Sequence, residues 1–148
     1  MVEIRKKANE IAEKEALDLV IIDGPPGTGC PVIASLSGSD LALIVTEPTL
    51  SGIHDMERVI GVAEHFRIET EVCINKYDIN LAHSCRIEKW CKERSIPVLG
   101  KIPFDEVVTK AVSQGMPVTA YVNNLLTREI KHIWLRMCNL LEKKDRQE

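Results

Sequence analysis

The sequence lacks the patterns that mark several large classes of protein. No apolar run approaches the ~20 residues that a membrane-spanning helix needs, and Met1 leads into a charged stretch rather than a signal peptide. The five cysteines are scattered and never spaced as Cys-x-x-Cys, which argues against a disulfide framework and a zinc site. A net charge of −3 supplies no basic field to attract nucleic acid. These absences predict a cytoplasmic protein with no membrane span and no nucleic-acid partner.

What remains is the composition of an ordinary globular protein. The 148 residues are 45% hydrophobic and 28% charged, which is enough apolar material to bury a core. No internal repeat and no low-complexity linker divides the chain. We therefore expect residues 1–148 to form a single domain.

Short apolar runs alternate with segments of helical periodicity along the chain. The runs are Leu19–Ile22, Leu41–Val45, Glu71–Ile74 and Ile96–Ile102. The first is an unbroken run of branched residues, as in a strand buried on both faces of a parallel sheet. An amphipathic first helix with Ile4 and Ile11 on its apolar side should pack on that sheet. Candidate caps of later helices are Thr49 or Ser51 and Asn123 or Asn124. The alternation predicts an α/β fold with a mostly parallel sheet flanked by helices.

Polar residues follow each predicted strand. They are Asp23, Thr46-Glu47, Asn75 to Asp78 and Pro103 to Asp105. Because parallel strands end at the same edge, these groups should converge on one crevice, as a nucleotide site requires. Two simpler interpretations stay open: Asp23 caps a helix, and Asn75 to Asp78 is a turn that opens the next helix.

Asp18 to Gly29 reads Asp-Leu-Val-Ile-Ile-Asp-Gly-Pro-Pro-Gly-Thr-Gly and resembles the strand and switch loop of the MinD/Mrp-type, ParA-like (SIMIBI class) P-loop ATPases. The likeness continues at Val45 to Thr49, at Gly100 to Asp105 and at Gly115 to Val118. It implies a three-layer P-loop NTPase fold with ATP and Mg²⁺ as cofactors. It also implies that Asp23 is the catalytic carboxylate that holds the water shell of Mg²⁺, and that Gly27 supplies a backbone N–H near the γ-phosphate.

The base-binding residues implied by the resemblance are Asn75, Pro103 and Phe104. In the resembled family an Asn at this strand end faces adenine, and the residues after the proline line the base. Asn75-Lys76-Tyr77-Asp78 also matches the Asn-Lys-x-Asp motif of GTPases, in which the Asp carboxylate accepts hydrogen bonds from guanine. Asp78 is therefore a fourth candidate base contact, and the choice between ATP and GTP stays open.

A glycine-rich phosphate loop with lysine is missing from these 148 residues, since neither Gly-x-x-x-x-Gly-Lys-[Ser/Thr] nor a Lys-Gly-Gly variant occurs. The chain therefore resembles the C-terminal half of such an ATPase. One hypothesis is a nucleotide-binding half that is an enzyme only when another chain or an upstream region supplies the phosphate loop. The other is a stand-alone, non-catalytic binding or interaction module.

The absence of the phosphate-loop half leads to an expectation about binding partners. Without the phosphate-loop strand of the resembled fold, the flank of Leu19–Ile22 would be unpaired, so we expect self-association or a partner chain that carries the phosphate loop. The resemblance further suggests ferredoxin-like, iron–sulfur or redox partners, and some relatives carry an inserted ferredoxin-like segment with clustered cysteines. No such cluster occurs in the sequence, so this chain alone does not support a bound iron–sulfur cluster.

Overall fold

A parallel three-stranded sheet forms the centre of the computed structural model, which describes residues 2–27 and 29–146. The strands are β1 (Leu41–Thr46), β2 (Glu69–Asn75) and β3 (Val98–Ile102), in that spatial order. Thr46 pairs with Ile74, and Asn75 pairs with Ile102, so the carboxyl ends of the strands lie level. The predicted α/β class with a parallel sheet is confirmed.

Helices connect the strands and extend beyond them. They are α1 (Val2–Glu15), α2 (Cys30–Leu36), α3 (Leu50–His65), α4 (Leu81–Glu93), α5 (Val107–Ser113), α6 (Val118–Tyr121) and α7 (Leu125–Asp145), with a 3₁₀ turn at Tyr77–Ile79. Over the described ranges, none of these helices combines the length and apolarity needed to cross a bilayer.

The two faces of the sheet are covered by different helices. Val72 and Ile74 of β2 pack against α3 and α4 on one face, while Cys73 packs against α7 on the other. This alternation follows from the two-residue period of a strand, and burial of each large aliphatic side chain contributes about 1.5–3 kcal/mol. The result is a helix–sheet–helix sandwich in three layers.

Side-chain caps define where the main helices begin. The Thr49 hydroxyl accepts the Gly52 N–H at 2.9 Å at the start of α3. At the start of α7, the Asn124 side chain accepts the Thr127 N–H at 3.1 Å, and the Thr127 hydroxyl accepts the Asn124 N–H at 3.0 Å. Each cap is worth about 1 kcal/mol. Of the candidates in the sequence, Thr49 and Asn124 are therefore the caps.

The predicted strand at Leu19–Ile22 is wrong. These residues belong to no helix and no ladder, and Leu19 and Ile21 are 39% and 73% exposed. The physical reason is the lack of a neighbour: within the described ranges, the sheet consists of β1, β2 and β3 alone. A strand is stabilised by pairing with another strand, so apolar character alone does not produce one.

Helix α1 forms as predicted but does not pack its apolar side on the sheet. Ile4 and Ile11 are exposed, and Ala12 is its buried apolar residue. Its tie to the rest of the chain includes Arg5, whose guanidinium donates to the Ala34 carbonyl at 3.5 Å. The periodicity therefore predicted the helix correctly, but the predicted packing of its apolar side on the sheet is wrong.

Glu71 is a buried carboxyl group on the central strand. It is only 2% exposed, and its Oε2 atom has no hydrogen-bond partner. Burial raises the pKa of Glu71 and neighbouring Glu69 adds to the rise, whereas Arg136 opposes it. A carboxyl whose pKa is raised by folding stabilises the fold below its unfolded pKa, and this contribution is lost as the pH rises through the folded pKa.

We therefore expect Glu71→Gln to flatten the pH dependence of stability. In the wild type, the free energy of unfolding should decline as the pH rises above about 4.5, the ordinary value for this group. The neutral amide removes the ionisation that causes this decline, and urea unfolding from pH 4 to pH 8 measures it. Glu10→Gln, at an exposed position of α1, should keep the wild-type profile. Identical profiles for Glu71→Gln and the wild type would show that ionisation of Glu71 does not cause the decline in stability.

Candidate functional site

Polar loops follow the three level strand ends and meet at one edge of the sheet. They comprise residues 47–49 after β1, 76–80 after β2 and 103–106 after β3. In open parallel sheets, this carboxyl edge is where ligands bind. The geometry therefore favours this edge as the site.

A hydrogen bond between two loops assembles the predicted base-binding residues. Asp78 Oδ1 accepts the backbone N–H of Phe104 at 2.7 Å, which ties the loop after β2 to the loop after β3. Asn75 is the last residue of β2 and pairs with Ile102, directly before Pro103. The Phe104 side chain is 52% exposed and so is available to stack on a ligand. The structure thus brings Asn75, Asp78, Pro103 and Phe104 into one cluster.

An ion pair links the loops after β1 and β2. Lys76 Nζ lies 2.7 Å from Glu47 Oε1, with both side chains 40% exposed. Such a half-exposed pair contributes at most about 1 kcal/mol, so its main effect is positional. Lys76 also adopts the left-handed backbone conformation, with φ = 52°, so the turn after β2 is sharply bent. The pair holds that turn beside Glu47.

Asp23 and Gly27 lie in the loop that follows segment 19–22. Both residues line the same groove as Thr46 and Glu47, and Asp23 is exposed. Gly27 has φ = 92°, a conformation that L side chains rarely adopt, so glycine is required there. The structure gives no contact between Asp23 or Gly27 and the base cluster, and their predicted roles stay predictions.

A groove runs along β1 from Leu41 to Thr46 and reaches this edge of the sheet; it is here called the β1 groove. It has a volume of about 1310 Å³. Its lining includes the segment 17–27 and β1 with Glu47. Its remaining lining includes Val32, Leu36, Met56 and Val59 of α2 and α3, and Trp134, Met137, Cys138 and Leu141 of α7.

The described residues contain no group of three or more His, Cys, Asp or Glu side chains that could hold a metal ion. A single carboxylate still fits Mg²⁺, because this ion usually keeps several waters and binds through one or two carboxylates together with substrate phosphates. Asp23 therefore fits a nucleotide-bound Mg²⁺ and not a resident metal centre.

Burial raises the pKa of Cys73 and of Cys91 to about 11, so both thiols stay protonated and are poor cluster ligands.

Two further interactions near the edge could not be foreseen from the sequence. Lys101 of β3 lies 2.9 Å from Glu88, and this hydrogen bond raises the pKa of Lys101, so the ammonium stays charged beside the Tyr77 ring. His83 Nδ1 lies 3.1 Å from the Pro48 carbonyl, which joins the start of α4 to the loop after β1. The sequence gives one local signal here: the spacing of Asn80 and His83 is typical of a helix cap, although it does not predict the contact of His83 with Pro48.

A parallel sheet between helices, with polar loops gathered at its carboxyl edge, is the architecture of open α/β folds that bind ligands at that edge. The family model described as "ParA: NUBPL iron-transfer P-loop NTPase" matches residues 4–138. The chain belongs to this ParA family of P-loop NTPases.

Relatives of known name agree with this assignment. The septum site-determining protein MinD of Bacillus subtilis is 30% identical over 129 residues, covering 84% of this chain and 48% of that protein. In the solved MinC:MinD cell division protein complex of Aquifex aeolicus, a chain matches with a TM-score of 0.77 at 24% identity, over 94% of this chain and 59% of that one.

MinD complexed with Mg-ADP from Pyrococcus horikoshii matches with a TM-score of 0.69 at 20% identity, over 84% of this chain and 52% of that one. The resemblance to these two structures is evidence of fold alone. The chain spans about half the length of the curated relatives it matches.

Proposed function

We propose that this chain is the magnesium- and base-binding half of a MinD/Mrp-like ATPase, and that a segment outside these 148 residues supplies the phosphate loop. The observation that carries the proposal is the Asp78–Phe104 hydrogen bond, because it gathers the predicted base contacts at the carboxyl edge of the sheet. The choice of an adenine nucleotide and Mg²⁺ follows from membership of the ParA family, in which one MinD, that of Pyrococcus horikoshii, has been solved as a complex with Mg-ADP.

Each site residue has a distinct role in this proposal. Asn75 and Phe104 contact the adenine, with Pro103 setting the direction of the loop. Asp23 holds the water shell of Mg²⁺, and Gly27 donates its backbone N–H toward the γ-phosphate. When bound, Mg²⁺ neutralises charge that develops on the phosphates. Asp78 acts through the Phe104 backbone and is therefore a positioning residue.

The family description suggests a role for the complete enzyme. Because that description names iron transfer, we propose a link to iron–sulfur or redox proteins, with iron or a cluster as cargo. The buried thiols of Cys73 and Cys91 do not suit a resident cluster. The exposed thiols of Cys30 and Cys85 belong to no group of three or more potential metal ligands within the described residues, so the cargo ligands would come from elsewhere. A ferredoxin-like partner fits this role.

Two other functions have some support. A stand-alone binding module is favoured by the absence of a lysine-bearing phosphate loop from the printed sequence. GTP binding is favoured by the motif Asn75 to Asp78, but the Asp78 carboxylate already accepts the Phe104 N–H, which leaves it less free to accept both guanine donors. Adenine is therefore the better match.

A titration of the isotopically labelled chain with Mg-ATP and Mg-GTP tests the assignment. We expect ATP to shift the amide signals of Asn75, Asp78 and Phe104 more strongly than GTP does, with weak affinity. Asp78→Asn keeps an oxygen acceptor for the Phe104 N–H and should retain ATP binding. Asp78→Ala removes a hydrogen bond worth about 1 kcal/mol and should weaken binding about fivefold.

The control variant is Glu64→Ala, which removes an exposed carboxylate on α3 that does not line the β1 groove and should not alter binding. No shift at these three residues with millimolar Mg-ATP would reject nucleotide binding by the isolated half. A GTP preference that disappeared in both Asp78 variants would replace adenine with guanine.

A further inference from the structure

The first turn of α4 contacts two of the three loops at the carboxyl edge of the sheet. Asn80 caps the helix, because its side-chain oxygen accepts the His83 N–H at 3.0 Å. Ser84 is only 3% exposed and donates its hydroxyl to the Tyr77 carbonyl at 2.6 Å, in the loop after β2. His83 Nδ1 lies 3.1 Å from the Pro48 carbonyl oxygen, in the loop after β1. This turn therefore joins the loop after β1 to the loop after β2.

The ring nitrogen Nδ1 of His83 has two polar neighbours that require opposite roles from it. The Pro48 carbonyl oxygen needs a donor, whereas the Asn80 side-chain nitrogen, 3.2 Å from the same Nδ1, needs an acceptor. The orientation of the Asn80 amide is set by its oxygen, which accepts the His83 N–H. In a neutral imidazole, one nitrogen carries the proton and the other a lone pair. Nδ1 can therefore bond only one of these two neighbours.

Burial decides which neighbour His83 bonds. Pro48 is fully buried, and among the described residues no other group donates to its carbonyl. A buried acceptor without a donor is costly to the folded state. The Asn80 side chain is partly exposed, so its N–H groups can bond water instead. This difference favours a proton on Nδ1, donated to Pro48.

A short series of contacts connects this hydrogen bond to the base-binding cluster. Glu47, directly before Pro48, pairs with Lys76 Nζ at 2.7 Å, and Lys76 directly follows Asn75. Lys76 has φ = 52°, a left-handed conformation that a residue with a Cβ atom adopts at a cost. Contacts from outside the turn are therefore needed to hold it. A shift of Pro48 would move Glu47 and weaken one of those contacts.

We propose that His83 is a positioning residue for the base-binding loops and acts through its Nδ1–H tautomer. The Nδ1–H group donates to Pro48 and holds the loop after β1 against α4. Through the Glu47–Lys76 pair, the same bond fixes the turn that follows Asn75. Its consequence for nucleotide affinity rests on the proposed function, whereas its effect on the loops is measurable without nucleotide.

Nitrogen-15 chemical shifts of the histidine rings identify the tautomer in the intact wild-type chain. The chain has four histidines, and the signals of His83 are those that disappear in His83→Asn. The measurement is made at pH 8 so that the neutral ring is observed. We expect the proton on Nδ1 and the lone pair on Nε2. A lone pair on Nδ1 would overturn the inference, because the ring would then accept from Asn80 rather than donate to Pro48.

Two substitutions at His83 separate the donor from the rest of the ring. His83→Ala removes the donor but keeps the backbone N–H that Asn80 caps, so α4 should still form. It should shift the amide signals of Lys76 and Phe104 in the free chain and weaken Mg-ATP binding about fivefold, the effect of one lost hydrogen bond. His83→Asn places an amide N–H near the position of Nδ1 and should restore both properties to within about twofold. The matched control is His132→Ala, at an exposed histidine of α7, which should behave like the wild type.

The nucleotide-free spectra distinguish failure of this inference from failure of the proposed function. Unchanged signals of Lys76 and Phe104 in His83→Ala would overturn the inference, and so would equal losses in His83→Ala and His83→Asn. Shifted signals in His83→Ala that His83→Asn restores would support it, even if the wild type gave no response to millimolar Mg-ATP. That absence of response would reject nucleotide binding by the isolated half and would leave the positioning of the loops by His83 standing.

Discussion

The purified chain should release phosphate from ATP no faster than protein-free buffer does, with or without Mg²⁺. Phosphoryl transfer depends on positioned N–H groups and cations that stabilise charge on the γ-phosphate. Loss of a single such donor typically costs about 100- to 1,000-fold in rate, and the 148 residues contain neither the glycine-rich cradle nor its lysine. Asp23 alone does not replace them.

Phosphate release at millimolar Mg-ATP measures this expectation, with Asp23→Ala and Asp40→Ala as a matched pair. Both remove an exposed carboxylate that lines the β1 groove, but only Asp23 has a proposed role in holding Mg²⁺. A Mg²⁺-dependent rate that persisted in Asp40→Ala and disappeared in Asp23→Ala would mean that the chain is a complete enzyme by itself. The half-domain proposal would then be wrong.

Alanine at two glycines of α3 should change stability in opposite directions. A Cβ atom at Gly52 would overlap the Glu47 carbonyl oxygen and lie 3.0 Å from Thr49 Oγ1, so the backbone must shift. Such overpacking costs about 1–3 kcal/mol. A Cβ atom at Gly61 meets nothing within 4 Å, and alanine there gains about 0.5–1 kcal/mol through helix propensity.

Thermal unfolding of the two variants measures these changes in stability. For a chain of this size, each kcal/mol shifts Tm by roughly 2–4 °C, so Gly52→Ala should melt several degrees below the wild type and Gly61→Ala slightly above it. Gly52→Ala should also weaken the Glu47–Lys76 ion pair, because it displaces the loop after β1. Equal melting temperatures for the two variants would show that the loop after β1 moves to accommodate the added Cβ atom without loss of stability.

Features that depend on nearby residues could be predicted from the sequence. The sequence narrows the cap of α3 to Thr49 or Ser51 and that of α7 to Asn123 or Asn124, because a capping side chain bonds a nearby N–H group. The structure selects Thr49 and Asn124. The parallel order of β1, β2 and β3 follows from strands joined through single helices, whose crossovers have one preferred hand. The placement of Asn75 and Pro103 at one edge follows from that order.

Features that depend on distant residues could not be predicted. Segment 19–22 has the composition of a buried strand, but a ladder requires a neighbour, and composition carries no information about whether one is present. Asp78 was predicted as a base contact from a four-residue motif, whereas its partner in the structure is the N–H of Phe104, 26 residues further on. The Glu47–Lys76 pair joins residues from different loops and has no local signature.

The order in which the sheet is covered matters while the chain is being synthesised. The face that carries Cys73 and Leu99 packs against Ile133 of α7, which follows β3 by about thirty residues. At about 5–20 residues per second, a ribosome needs roughly 2–6 seconds to add them, far longer than the microseconds in which a short chain collapses. During this interval, the nascent sheet presents an apolar face with no helix to cover it. Slow codons between β3 and α7 would lengthen that exposure and so lower the yield of soluble protein.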